Sequence, residues 1–204
     1  MRALYFLIIL GLLGFGVYWY INKQKPSKPK AEKQAPITLR QHSDSFNTRI
    51  DNLVTAYLQT KDAFVSADTA GAKNNTRNFL KQLDALPLSE LKNNDLVYQT
   101  ALANAGDLKS NAESLLAQPN VTEMRKDFSS LTEIMYPSFL RTVNYDGEKL
   151  YLQNCPMAFD DEVGANWISN SVEIVNPYLG SNHPKYKAGM LHCGEIKDTI
   201  KAQP

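Results

Sequence analysis

The chain opens on an apolar segment that is followed by a polar stretch. Residues 3–21 contain no charged side chain, and their number is close to the ~20 residues that a membrane-spanning helix needs. Aromatic residues close the segment, where amphipathic rings suit a membrane interface. We therefore expect residues 1–21 to form a transmembrane anchor, or alternatively a signal sequence that is cleaved. The Pro- and Lys-rich stretch over 22–42 is expected to be a flexible linker.

From residue 43 onward, apolar side chains recur at steps of three and four, which is the spacing of one face of an α-helix. Four such segments follow one another. They begin near Ser43, Asp68, Ser89 and Asn120. Pro87 and Pro119 end the second and third segments, and Pro137 should kink or end the fourth. Residues 43–143 are therefore predicted to form an up-down four-helix bundle.

The helical spacing ends after Asn144, and the rest of the chain is rich in Gly, Pro, Asn and aromatic residues. A short alternation at Leu150 and Leu152 suits one strand or extended segment. We expect residues 144–204 to be a loop-rich segment with little strand. The predicted fold is thus mainly α, with a single domain over 43–204 that follows the anchor and the linker.

Charge and motif content exclude several classes of function. The 22 basic and 21 acidic residues nearly cancel, which argues against nucleic-acid binding. The sequence offers no nucleophile–base pair, no suggestive acidic dyad and no glycine-rich phosphate loop, so we expect a protein that is not an enzyme. The two cysteines can form one disulfide or supply two metal ligands.

The charges that follow the apolar segment bear on which side of the membrane the domain lies. Five lysines follow the segment, and the positive-inside rule alone would keep them in the cytoplasm. They are Lys23, Lys25, Lys28, Lys30 and Lys33. A whole domain follows them, however, and long domains translocate largely regardless of nearby charge. We therefore favour an exported domain.

Two pairs of sulfur-bearing residues stand out in the last third. Pro156 keeps Cys155 out of the helical region, and an extended backbone would present Cys155 and Met157 on one side. Met190 and Cys193 are close enough in sequence for one helical turn or tight loop to bring their sulfurs together. If the two pairs converge, the mixed thiolate and thioether site would suit Cu(I) better than zinc.

Imidazole groups could extend this site, and a disulfide could replace it. His192 and His183 are further candidate copper ligands, because imidazole also suits copper. In an oxidising compartment, Cys155 and Cys193 could instead form one disulfide. Met157 and Met190 would then fill the core. The residues alone leave both alternatives open, and a redox-sensitive pair could bind copper only when it is reduced.

Six short motifs resemble one protein family. CPMA at 155–158, GANWIS at 164–169, EIVNPYLG at 173–180 and GMLHCG at 189–194 resemble the ending of the DUF3347 domain. YLQTKDAFVSAD and MRKDFSSLTEIMY resemble its first and last helices. The likeness covers about 43–199. The stretch 181–189, which contains His183, is longer than the connection expected in the family.

The resemblance implies a location and a role, although the family itself is named as one of unknown function. DUF3347 domains occur in bacterial exported proteins, alone or attached to heavy-metal efflux adaptor subunits. The resemblance therefore implies an inner-membrane anchor, a periplasmic domain and the buffering of copper or its delivery to an efflux complex. The residues that match the family's Cys and Met motif are Cys155, Met157, Met190 and Cys193.

Overall fold

Four long helices follow one another in the first part of the computed structural model, which describes residues 42–160 and 162–201. They are α1 (Asp44–Val65), α2 (Thr69–Asp84), α3 (Asp95–Ala117) and α4 (Val121–Glu133). The mainly helical fold is confirmed. Within these described ranges, no helix combines the length and the apolar character needed to cross a membrane. The anchor predicted over 1–21 and nearly all of the predicted linker lie outside the described residues.

Each long helix begins at a side chain that accepts a hydrogen bond from an N–H of its first turn. The four caps are Ser43, Asp68, Asn94 and Asn120. Such caps satisfy backbone donors that have no partner within the helix. The starts predicted near Ser43, Asp68 and Asn120 are therefore confirmed. The start near Ser89 is wrong, because Leu88–Asn93 forms a 3₁₀ helix and α3 begins only after Asn94, whose Oδ1 accepts from Val97 N at 3.2 Å.

The predicted interruption at Pro137 is confirmed. Regular α4 ends at Glu133 and passes into a wider π-type segment, Ile134–Phe139, and then a single turn, α5 (Leu140–Thr142). Tyr136 has an extended backbone within that segment, with φ −142° and ψ 132°. A residue that precedes proline is pushed to such angles because the ring clashes with a helical conformation.

The expectation of little strand in the last third is wrong. The chain forms a three-stranded antiparallel sheet from β1 (Leu150–Phe159), β2 (Val163–Ser169) and β3 (Glu195–Ile200), in the order β2-β1-β3. Strand β3 has charged side chains at three of its six positions and is exposed over its first half, as an edge strand often is. It therefore lacks the apolar alternation by which a strand is recognised in sequence.

Aromatic rings join the helices to the sheet. The ring of Tyr57 in α1 lies 5.0 Å from that of Phe128 in α4, and Phe128 lies 6.2 Å from Tyr178 in the loop after the sheet's second strand. Tyr178 in turn meets Trp167 of β2 edge-to-face at 6.0 Å. All four side chains are buried. Trp167 and Tyr178 are thus packing anchors between the sheet and the helices.

A buried hydrogen-bond chain reinforces this junction. The Thr132 hydroxyl donates to Phe128 O at 2.9 Å, so the Tyr57 hydroxyl donates to Thr132 Oγ1 at 2.6 Å. Tyr57 Oη also accepts from the backbone N–H of Ile168 in β2 at 3.1 Å. Burial raises the pKa of Tyr57, which keeps the phenol neutral and able to donate. One side chain thus holds α1, α4 and β2 together.

Replacing Tyr57 with phenylalanine should destabilise the fold by about 1–3 kcal/mol, because the Ile168 N–H would lose its buried acceptor. Urea unfolding followed by circular dichroism measures the effect. Tyr98→Phe is the matched control, since Tyr98 is only partly buried, and it should change the free energy of unfolding by less than about 0.5 kcal/mol. Equal effects of the two substitutions would contradict a role for the Tyr57 hydroxyl in joining helices to sheet.

Candidate functional site

The structure brings the two cysteines into contact. Cys155 lies in β1 and Cys193 in the turn before β3, 38 residues further along the chain, and their Sγ atoms are 2.9 Å apart. Both are free thiols. Cys155 is fully buried, whereas Cys193 is half-buried and reachable from solvent. These two residues form the candidate site, which we call the dithiol site.

Strand pairing accounts for the meeting of the two thiols. In the antiparallel register of β1 and β3, Asn154 pairs with Glu195 and Gln153 with Ile196. Continuing that register places the residue after Asn154 beside the residue before Glu195. The register thus places Cys155 beside Gly194, and Cys193, the residue before Gly194, reaches Cys155 from the adjoining turn, which the sequence alone did not predict.

Asn176 fixes the turn that carries Cys193. Its Nδ2 donates to Cys193 O at 2.9 Å, and its backbone N–H donates to Leu191 O at 2.8 Å. Its Oδ1 accepts from the N–H groups of Tyr178 and Leu179, at 2.8 and 3.1 Å. Asn176 is completely buried. Sequence reasoning missed this positioning role, although the Asn-Pro pair at 176–177 marks a turn.

Gly194 allows the turn to enter the sheet. Its φ is +146°, an angle that other residues rarely adopt, and an added Cβ would lie 2.7 Å from Asn154 O. The same Cβ would lie 2.8 Å from the ring of Trp167. Only glycine therefore lets the chain pass at this closeness beside Cys193.

The structure shows the predicted tight turn between Met190 and Cys193, whereas the predicted placement of Met157 beside Cys155 stays open. The backbone N–H of Cys193 donates to Met190 O at 3.0 Å, which is the tight turn expected between these two residues. In β1 the pairing with β2 is irregular between Cys155 and Phe159. The alternation that would place Met157 on the side of Cys155 is interrupted there. Both methionines are partly buried against the core, and their role as ligands stays a prediction.

The two histidines are held by backbone groups. His192 is exposed, and its Nδ1 lies 2.7 Å from Ile174 O, so Nδ1 carries the proton and Nε2 is the nitrogen left for a ligand. His183 Nδ1 accepts from the N–H groups of Lys185 and Tyr186, each at 3.3 Å. Across 42–160 and 162–201, no three His, Cys, Asp or Glu side chains are grouped to hold a metal ion. A metal at the dithiol site would thus depend on thioether or external ligands.

The Cys193 thiol of the dithiol site has a raised pKa. Burial, with a smaller contribution from the adjacent Cys155, raises the pKa of the Cys193 thiol to about 11. A thiol is neutral below its pKa, and a raised pKa therefore extends the protonated form to higher pH. Oxidation or metal binding at this site must displace thiol protons.

The fold and the site together define a mainly helical domain whose small antiparallel sheet carries a pair of adjacent thiols. The family described as "Protein of unknown function (DUF3347)" matches residues 53–144. This match supports the resemblance inferred from the sequence over the helical part of the chain. Both cysteines lie after the matched residues. No curated protein and no solved structure matches the chain.

Gly194→Ala should destabilise the domain by about 1–3 kcal/mol, because the new methyl group collides with backbone and ring atoms and strains φ. Gly106→Ala is the matched control. Gly106 lies within α3, and its added Cβ would meet nothing within 4 Å, so that variant should gain about 0.5–1 kcal/mol. Urea unfolding of both variants measures the difference. A neutral Gly194→Ala substitution would show that the turn beside Cys193 is not tightly packed.

Cys193 should react slowly with iodoacetamide at neutral pH, on the order of tenfold more slowly than an unperturbed thiol, because so little of it is thiolate. The rate should rise until the pH passes about 11. Peptide mass spectrometry over a pH series gives the profile for Cys193 alone. In Cys155→Ala the profile should move to lower pH, because the neighbouring thiol that raises the pKa is gone. An unchanged profile would contradict the coupling of the two thiols.

Proposed function

We propose that this chain is a membrane-anchored envelope protein that binds Cu(I), or a similar soft metal ion, at the dithiol site. The observation that carries the proposal is the 2.9 Å separation of the Cys155 and Cys193 sulfur atoms. Thiolate and thioether ligands select Cu(I) over harder ions. A pair of adjacent thiols on an otherwise rigid sheet is therefore a suitable platform for such an ion.

The geometry requires only a small adjustment to hold a metal. Metal–thiolate bonds of about 2.3 Å at a tetrahedral angle separate two sulfurs by about 3.8 Å. The Cys155 and Cys193 sulfurs would thus part by about 1 Å from their present 2.9 Å. Cys193 can supply the movement, because it is half-buried and lies in a turn, whereas Cys155 is fully buried and paired with Ala165 of β2.

Met157, Met190 and His192 are the proposed additional ligands. Met190 is tied to Cys193 through the turn, and His192 adjoins Cys193 with its Nε2 left for a ligand. Met157 follows Cys155 by two residues in β1. A set of two thiolates with thioether support would make a soft site of the kind that copper prefers.

The proposed location and partner follow from the amino-terminal sequence and the family. We propose that residues 1–21 anchor the chain in the inner membrane and that the domain faces the periplasm. The protein would buffer copper or deliver it to a heavy-metal efflux complex. Its role would be binding rather than catalysis, with no nucleic-acid partner.

A second candidate is a structural or interaction domain with a Cys155–Cys193 disulfide and no metal. The same sulfur separation supports it, because a disulfide of about 2.05 Å requires the sulfurs to approach by about 0.9 Å. The bridge would tie β1 to the turn before β3, and an oxidising periplasm would preserve it.

Titration of the reduced, full-length chain with Cu(I) against a competing chelator tests the proposal. The Cys155→Ser, Cys193→Ser double variant should lose at least about 100-fold in affinity, because both thiolate ligands are removed. The Met157→Leu, Met190→Leu double variant should lose about tenfold. Met135→Leu is the matched control, since Met135 is fully buried in the helical core, and it should bind as the wild type does.

Unchanged copper affinity in the double serine variant would eliminate the copper proposal. Mass spectrometry of protein taken directly from cells distinguishes the second candidate. A Cys155–Cys193 bridge, together with no copper uptake after reduction, would establish the disulfide-bonded structural domain instead. Copper uptake only after reduction would support a redox-gated metal site.

A further inference from the structure

A polar cleft lies at the start of α4, where the end of β1 and the loop after Tyr178 face the helix. Its lining includes neither cysteine, so it is distinct from the dithiol site. We propose that this cleft binds a single oxyanion group, either a carboxylate or a phosphate, with Arg125 as its principal donor. We call it the Arg125 cleft.

Arg125 is a buried cation that forms no ion pair with any residue that the structure describes. Its side chain is only 6% exposed, and its Nε–H is buried with no hydrogen-bond partner. None of the ion pairs formed within residues 42–160 and 162–201 includes it. Burial lowers its pKa to about 10, with no opposing carboxylate. An unpaired buried charge is costly, and an acidic ligand in the cleft would supply the missing partner.

The guanidinium is held in place while most of its donors stay unused. Arg125 Nη2 donates to Phe64 O at the end of α1, at 2.6 Å. Gly180, with φ +60°, leaves room for this approach, because an added Cβ would lie 2.9 Å from Nη2. The next carbonyl, Val65 O, is already capped by Ser181 N at 2.8 Å. A guanidinium carries five N–H donors, so capping α1 occupies few of them.

Other groups of the lining suit one negative group. Val121 and Thr122 form the first turn of α4, a helix of 13 residues whose N-terminal N–H groups favour anions. Lys126 also lines the cleft but is paired with Glu123 at 3.0 Å. Asp160 is on the lining and acts electrostatically on Lys126. A singly charged group therefore fits better than a polyanion.

NMR titration of the full-length chain tests the proposal. The probes are sodium phosphate and sodium acetate, each compared with sodium chloride at equal ionic strength. The Nε–H resonance of Arg125, assigned by its loss in Arg125→Gln, should shift and saturate with at least one of the two oxyanions. Arg125→Gln should weaken binding at least tenfold, as reported by the amide of Thr122. Arg77→Gln, which removes an exposed arginine elsewhere, should not change the affinity.

Asp160→Asn supplies a test that does not depend on the stability of the Arg125 variant. Asp160 is exposed with φ +52°, a conformation that asparagine also tolerates, so the fold should be kept. Removing its charge should tighten binding several-fold. Whichever of phosphate and acetate binds more tightly identifies the class of oxyanion that the cleft prefers. The absence of a saturable Arg125 shift with both probes, or unchanged affinity in Asp160→Asn, would overturn the proposal.

Discussion

The pairing of β1 with β3 is the interaction on which the candidate metal site depends. Asn154 and Glu195 are partners across these strands, and this register brings the turn that carries Cys193 to Cys155, which lies 38 residues earlier in the chain. β1 is also paired with β2 on its other side, where Cys155 pairs with Ala165. The placement of the thiols is therefore a property of the sheet rather than of the turn alone.

One loop, over 176–182, ties this sheet to the helices. At its start, Asn176 holds the Cys193 carbonyl, and Tyr178 fills the aromatic junction with Phe128. At its end, Ser181 caps the last turn of α1. The same loop contributes Tyr178 and Asn182 to the Arg125 cleft. The two candidate sites are thus separate, but both are shaped by one segment whose hydrogen bonds reach each of them.

Most helix starts could be predicted from local signals in the sequence. The strand β3 could not, because it depends on pairing with a distant part of the chain. Ser43, Asp68 and Asn120 marked helix starts correctly because a capping side chain acts within its own turn. Asn94 is also a capping residue, but the apolar spacing before it places the predicted start too early, near Ser89. β3 was missed because an edge strand with charged side chains carries no apolar alternation.

The sequence predicts which residue types form the candidate site, but it does not predict how they are arranged in space. The sequence named Cys155 and Cys193 and left open whether they meet, since only the register of the sheet decides that. Gly194 and Asn176 were missed because each acts through a close approach to a distant part of the chain. Arg125 resembled an ordinary charged residue on a helix, and only its burial and its unpartnered Nε–H distinguish it from one.

The separation of the two sulfur atoms is intermediate between that of a disulfide and that of two thiolates bound to one metal ion. At 2.9 Å the sulfurs are farther apart than in a disulfide and closer than in a shared metal site, by about 0.9 Å in each case. Cys155 is fully buried and paired with Ala165 of β2, so the adjustment in either direction falls on Cys193. Both outcomes also require the loss of thiol protons, which the raised pKa of Cys193 opposes at neutral pH. The raised pKa favours the protonated Cys193 thiol, so a soft metal ion or an oxidant that acts at this site has to displace its proton.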